Sequence, residues 1–328
     1  MAFSKIFGHR SVIERLNHTF QNGCIPSAYL FVGWNGIGKN TIAREFAQMI
    51  NCHTHDNCHS CDSCHMFDIA SHPDYIIIKP SGQFIRIGQI KALIEQLSLR
   101  PIYAQKRVVV IHEAQRMNLE STNCFLKILE EPPLDTLIVL MTTDENLLLE
   151  TIQSRCQKMM FSTLTHDQLK CIYQQYFNIQ EEDLPFILNY SGGCIRKNFI
   201  KKASELYNIR NLVLQILLNL TNKRMNDHFF LLEQWVKHEQ HLYFIEFCTA
   251  WIRDIIYLRE GKTEGLFNQD MIQEIPESIY QLTIEQLQWA FDLTIETEIA
   301  IKKNAAKQPA LEGLLIQLKQ VFAGVPVV

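Results

Sequence analysis

The stretch Tyr29-Leu30-Phe31-Val32-Gly33-Trp34-Asn35-Gly36-Ile37-Gly38-Lys39-Asn40-Thr41 decides how this chain is read. Its first four residues form the short apolar run of a buried strand. The next seven have the spacing G-x-x-x-x-G-K, and Ile42, Phe46 and Ile50 then fall on one helical face. A strand, a glycine loop and a helix in that order make a cradle for phosphate. The glycines let backbone N–H groups turn toward an anion, and the helix N-terminus adds partial positive charge. Gly33, Gly36, Gly38, Lys39, Asn40 and Thr41 are therefore the candidate nucleotide-binding residues, with Lys39 reaching the outer phosphates. A glycine turn that only joins strand to helix is the plainer alternative. One position departs from the pattern. Asn40 stands where a Ser or Thr hydroxyl ordinarily helps to hold Mg²⁺, and Thr41, one residue later, points about 100° away around a helix.

Further strands follow outward from this loop. Tyr75–Ile78, Val108–Ile111 and Leu137–Leu140 read as buried strands, each bounded by Gly, Pro or polar residues. Between them, Ile90, Leu93, Ile94 and Leu97 share a helical face. Phe125, Leu126, Ile128 and Leu129 precede a stop at Pro132-Pro133. The alternation predicts an α/β domain with a mostly parallel sheet. The third strand runs into His112-Glu113, where an ATPase of this design carries an Asp that orders the Mg²⁺ water shell. A neutral His is a poor ligand for a hard cation, whereas Glu113 sits where a water-activating carboxylate belongs. The metal-handling parts are thus altered at two independent points. ATP or ADP binding stays open, and efficient hydrolysis by this chain alone is not expected.

The 328 residues suggest roughly two domains by length alone. The pattern suggests three segments: an α/β domain over 1–163, a small helical lid over 164–205 with a break at Ser191-Gly192-Gly193, and an all-α domain over 206–328. In the last segment Leu212, Ile216, Leu217 and Leu220 form one apolar stripe. Ile284, Leu287, Phe291 and Ile295 form another, both read as packing faces. The net charge of −4 resides wholly in this segment, which holds 11 basic and 15 acidic residues against 20 and 20 in residues 1–205. A protein that grips nucleic acid by itself usually carries a basic excess, so DNA contact is expected to be shared with partners. The N-terminus lacks an apolar signal region, and no run approaches 18 apolar residues, which predicts a soluble cytoplasmic protein.

Four of the ten cysteines lie together as Cys52-x5-Cys58-x2-Cys61-x2-Cys64. In a reducing compartment such a cluster points to metal, and a structural tetrahedral Zn²⁺ held by the four thiolates is the leading reading. One of the interleaved histidines (His53, His55, His59 and His65) could replace a Cys. An Fe–S cluster or metal-free thiols are the alternatives.

Residues 142–157 follow the fourth strand and are expected on the sheet edge where phosphate-loop sites form. Arg155, within Ser154-Arg155-Cys156, would on its own pass for a surface arginine. Several pieces together carry more. They are Ala28-Tyr29-Leu30-Phe31-Val32-Gly33, the altered phosphate loop, the four-cysteine knuckle, Ser71-His72-Pro73-Asp74-Tyr75, the Val108–Glu113 strand, Asn123-Cys124-Phe125-Leu126-Lys127-Ile128-Leu129-Glu130-Glu131-Pro132-Pro133 and the Ser-Arg-Cys triplet. With them the chain resembles the bacterial clamp-loader subunits of the AAA+ class, and among these the delta-prime family of DNA polymerase III. The resemblance covers most of residues 1–205.

That resemblance implies a P-loop AAA+ domain with a zinc knuckle, a helical lid and a helical collar. It implies a non-catalytic place in a hetero-pentamer with gamma/tau and delta subunits, acting through the complex on the sliding clamp and primer-template DNA. It also implies that Arg155 is a finger reaching into a neighbour's ATP site, and that Thr143 and Arg196 lie near the family's two sensor positions. An active gamma/tau-type motor is the alternative, against which Asn40 and His112 stand.

Overall fold

The computed structural model describes residues 2–177, 179–181, 183–220, 225–275 and 282–323. The chain divides into two compact units, one formed by Met1–Tyr176 with Gly193–Ile195 and the other by Phe177–Gly192 with Arg196–Val328.

The first unit is built on β1 (Ala28–Val32), β2 (Tyr75–Ile78), β3 (Arg107–Ile111), β4 (Thr136–Thr142) and β5 (Gln157–Met160), in the order β2-β3-β4-β1-β5. All four pairings are parallel. Alternate side chains of each strand enter opposite layers, as the pleat requires. Tyr29, Phe31, Val108, Val110, Leu137 and Val139 pack with Leu16 of α1 (Arg10–Gln21) and with Ile42, Phe46 and Ile50 of α2 (Lys39–Asn51). Leu30, Val32, Val109, Ile111, Ile138 and Leu140 pack on the other face. Their partners there are Ile90 and Leu93 of α4 (Ile87–Leu97), Phe125 and Ile128 of α5 (Leu119–Glu130), and Ile152 of α6 (Glu150–Gln153). A short α3 (Asp62–Asp68) lies against α2, and α7 (His166–Phe177) follows β5.

The strands predicted from apolar runs are present, with two differences. Tyr75–Ile78 reads as a fully buried strand, but β2 is a sheet edge and leaves Ile77 41% exposed. Strand β5 escaped the sequence reading because Gln-Lys-Met-Met has no apolar run. It too is an edge strand, and only Met159 is buried.

One buried ion pair anchors this unit. The Asp74 carboxylate accepts from the N–H groups of Ile102 (3.0 Å), Tyr103 (2.7 Å) and Ala104 (2.9 Å) and from Arg107 Nη2 (3.1 Å). Burial pushes Asp74 up, but these donors outweigh it and hold the carboxyl below its usual value.

The second unit is helical: α8 (Leu184–Ser191), α9 (Lys197–Lys201), α10 (Ala203–Asn219), α11 (Met225–Lys237), α12 (His241–Arg259), α13 (Ile284–Lys302) and α14 (Lys307–Phe322). Helix α8 stops at Gly192, whose φ of 56° is left-handed. Helix α12 packs on α10 and α13, and α14 packs on α11 and α13. The predicted stripes are core only in part. Ile216, Leu217, Leu220 and Leu287 are buried, whereas Leu212 and Ile284 are each 38% exposed. The fully buried Arg210 forms a bidentate pair with Asp270 (3.0 and 2.7 Å) and lies over the Tyr207 ring. Among the described residues, no helix is long and apolar enough to cross a membrane.

The depressed Asp74 carboxyl contributes stability above its unfolded value of 3.8 and loses it as pH falls through the lower folded value. Asp74→Asn leaves Arg107, 5% exposed, without its counter-charge. Chemical denaturation is expected to show a loss of about 3–5 kcal/mol. A loss below about 1 kcal/mol, the range of an exposed pair, would show that the pair is not effectively buried.

Candidate functional site

The phosphate loop leaves β1 at the C-terminal edge of the sheet, where Gly33 N–H donates to Thr142 O (3.1 Å). Gly36 has a φ of 84°, and a Cβ there would lie 2.5 Å from the Ile195 carbonyl oxygen, so only glycine fits. Gly38, at a φ of 104°, precedes the first turn of α2. The loop carbonyls are tied down. Lys39 Nζ donates to Gly33 O and to Trp34 O (2.9 Å), and Ile195 N–H donates to Gly36 O (2.9 Å). His9 donates Nε2–H to Ile37 O (2.6 Å), and Ile42 N–H donates to Gly38 O (3.0 Å). Among the described residues, apart from the hydrogen-bonded turn at Asn35-Gly36, no N–H group from Trp34 to Thr41 donates to a backbone carbonyl. The loop thus turns its acceptors into the protein and leaves its donors for an anion. Lys39 is 7% exposed, and burial lowers it to about 8, with Cys194 and Glu113 opposing.

Asn40 and Thr41 are both exposed at the start of α2. His112 is half-buried beyond β3, its backbone N–H held by Ile78 O (2.9 Å) and its Nε2 buried with no hydrogen-bond partner among the described residues. Burial, Lys79 and Lys39 lower its pKa against the pull of Glu113, so the ring is neutral near pH 7. Glu113 adopts a left-handed φ of 49° and turns its carboxylate to Arg116 (2.7 Å). Thr143 lies at the same edge, 3.5 Å from Gln115 Nε2. This donor set, an amide and a neutral imidazole, does not fit Mg²⁺, which wants oxygen ligands in octahedral order.

Arg155 lies elsewhere than the sequence suggested. The chain leaves β4 at the phosphate-loop edge but returns along the sheet through α6, and β5 begins level with the start of β1, Gln157 opposite Tyr29. Arg155 therefore sits at the N-terminal edge. Four to five residues at about 3.3 Å each put it roughly 15 Å from its own loop. There Nη2 pairs with Glu130 (2.9 Å) at the end of α5, and Nη1 donates to Thr151 O (2.9 Å). The triplet has a division of labour. Ser154 donates to Thr151 O (3.2 Å), Arg155 faces solvent, and Cys156 packs against the sheet core, where burial raises its thiol to about 12. Glu130 was not singled out in the sequence, because its spacing from Arg155 carries no local signal. Arg196 is engaged within its own unit by Glu246 (3.2 Å), Tyr190 O (2.9 Å) and the Phe199 ring (4.3 Å).

The sulfurs of Cys52, Cys58, Cys61 and Cys64 lie within 4.8 Å of one another. Four thiolates about 2.3 Å from a tetrahedral centre have edges of roughly 3.8 Å, so the cluster fits a metal ion with little adjustment. Backbone donors already face the sulfurs: Cys58 N–H lies 3.5 Å from Cys52 Sγ, and Cys64 N–H lies 3.5 Å from Cys61 Sγ at the start of α3. The histidines stand apart from the cluster. His59 pairs with Asp68 (2.9 Å), and His55 bonds Met49 O (3.3 Å).

A family described as "DNA polymerase III, delta subunit" matches residues 8–165. The chain is 27% identical to the DNA polymerase III subunit delta' of Bacillus subtilis, over 94% of this chain and 95% of that one. It is 27% identical to the delta' subunit of Pseudomonas aeruginosa, over 88% and 90%. Among solved structures, a gamma subunit-related protein of Thermotoga maritima aligns over 94% of this chain and 99% of its own, at 17% identity and a TM-score of 0.46. The chain is therefore similar to delta-prime subunits along nearly its whole length.

Purified protein is expected to carry one equivalent of a thiophilic metal ion, and Cys64→Ser to lose it with a lowered melting temperature. Elemental analysis reads this directly, and full metal content in the variant would remove Cys64 from the ligand set.

Proposed function

We infer that this chain is a clamp-loader subunit of the delta-prime type for DNA polymerase III, helping to load the sliding clamp onto primed DNA. In this reading it performs no hydrolysis of its own. It lends Arg155 to the ATP site of a neighbouring gamma/tau-type subunit. The observation that carries the reading is the position of Arg155. An arginine on the sheet edge opposite its own phosphate loop cannot serve that loop, yet it is presented at the surface, 36% exposed and paired with the Glu130 carboxylate. A neighbour's loop docked at this edge would receive a planar charged fork suited to a transferring phosphoryl group. The altered residues Asn40 and His112 agree with this division, since the chemistry belongs to the partner.

The further parts of the reading follow from the same similarity. The partners are gamma/tau and delta subunits in a hetero-pentamer, with the clamp and primer-template DNA met through the complex in the cytoplasm. Residues 1–163 form the AAA+ domain, 164–205 the lid and 206–328 the collar that holds the assembly together. The four-cysteine cluster holds structural Zn²⁺, stapling a loop too short to bury a core of its own.

Arg155→Ala is expected to slow phosphoryl transfer at the one neighbouring site by about 10³–10⁵-fold. The DNA-stimulated ATPase of the reconstituted loader then falls while subunit assembly is unchanged by gel filtration. Arg155→Lys is expected to rescue little of it. An ATPase rate unaffected by Arg155→Ala would sink the assignment.

A further inference from the structure

The phosphate loop is built to hold an anion, yet the residues that would manage Mg²⁺ are replaced. The carbonyls of Gly33, Trp34, Gly36, Ile37 and Gly38 are each tied into the protein, and, apart from the hydrogen-bonded turn at Asn35-Gly36, the N–H groups of residues 34–41 are left without backbone acceptors among the described residues. Two of the three ammonium protons of Lys39 hold the loop, which leaves one for a ligand. A cradle in this state has its shape before any ligand arrives.

The replacements also have a consistent charge. A carboxylate and the divalent cation it orders sum to one positive charge, which is the charge of an imidazolium. His112 occupies the carboxylate's position, and its Nε2 is buried without a partner among the described residues. Asn40 offers an amide N–H₂ donor where a hydroxyl would bind metal. The charged groups facing His112 are Lys39 at the start of α2, Lys79 after β2 and Glu113 beside it. Glu113 is itself paired with Arg116 (2.7 Å). Positive charge predominates here until an anion enters.

We propose that this loop binds the pyrophosphate group of a nucleotide without a divalent cation, His112 protonating on binding and Asn40 donating directly, so that Mg²⁺ weakens the complex. This deepens the reading of the chain as a non-hydrolysing subunit, because a nucleotide held without metal lacks the ion that stabilises the transferring phosphate. It does not depend on Arg155. The ATPase test of Arg155→Ala can fail while the binding proposed here stands, and the reverse.

The test is titration of the full chain with ADP, followed by the fluorescence of Trp34, which lies in the loop and is 68% exposed, and by calorimetry. Binding in EDTA is expected to be as tight as in Mg²⁺ or tighter, with inorganic pyrophosphate competing. Affinity is expected to fall with rising pH, by on the order of tenfold per pH unit for each proton taken up. His112→Asp, checked for an intact fold by its melting curve, is expected to weaken binding in EDTA at least about tenfold and to regain it with Mg²⁺. Binding that requires Mg²⁺, no binding of ADP, or failure of pyrophosphate to compete would each overturn the proposal. The wild-type comparison decides the matter even if the variant does not fold.

Discussion

The parallel pairing of β1 between β4 and β5 is the constraint on which the rest depends. Parallel strands send every C-terminal end to one edge of the sheet and every N-terminal end to the other. The phosphate loop, His112 and Thr143 must therefore share one edge. Whatever precedes β5 must lie at the far edge. The two faces of β1, Tyr29 and Phe31 on one side and Leu30 and Val32 on the other, are both fully buried, which fixes this strand in the centre of a three-layer unit. Topology thus separates the glycine loop, at one end of the sheet, from Arg155 at the other.

How much of this the sequence carried varied with distance along the chain. Contiguous signals were legible. The phosphate loop and the cysteine knuckle each depend on spacing within a dozen residues or so, and four strands showed as apolar runs. What sequence reading missed depended on topology or on partners far away in the chain. Arg155 was expected beside the phosphate loop because it follows β4, but only the register of β5 reveals that the chain has crossed the sheet. The edge positions of β2 and β5 explain the exposure of Ile77 and the polar sequence of β5, and edge position is a property of strand order. Glu130, His9 and Ile195 act on residues 25, 28 and 159 positions away, through a carboxylate, a ring nitrogen and a backbone N–H that no periodic pattern announces.

The knuckle and the Ser71–Tyr75 segment form one continuous structure. Ser63 of α3 bonds His72 Nε2 (3.3 Å), His72 lies against the Phe67 ring (4.4 Å), and His72 Nδ1 accepts from the N–H of Asp74 (3.2 Å). Asp74 in turn holds residues 102–104 and Arg107. A metal at the cysteine cluster would therefore brace the start of β2 as well as its own loop. This gives a physical reason for a staple on a domain that already has a large core. The β2 edge has apolar layers on both faces but a neighbouring strand on one side only.

The pairing of Arg155 with Glu130 also bears on how fast such an assembly could respond. An exposed ion pair is worth at most about 1 kcal/mol and is weakened further by salt. The guanidinium is stowed rather than locked, and side-chain motion at an exposed site takes place in nanoseconds or less. A phosphate presented by a neighbour would outcompete one carboxylate without unfolding or repacking anything. If Arg155 serves a neighbour's site as proposed, the arginine would change hands without a slow step of its own. In such an assembly, freeing this side chain would not be the slow step.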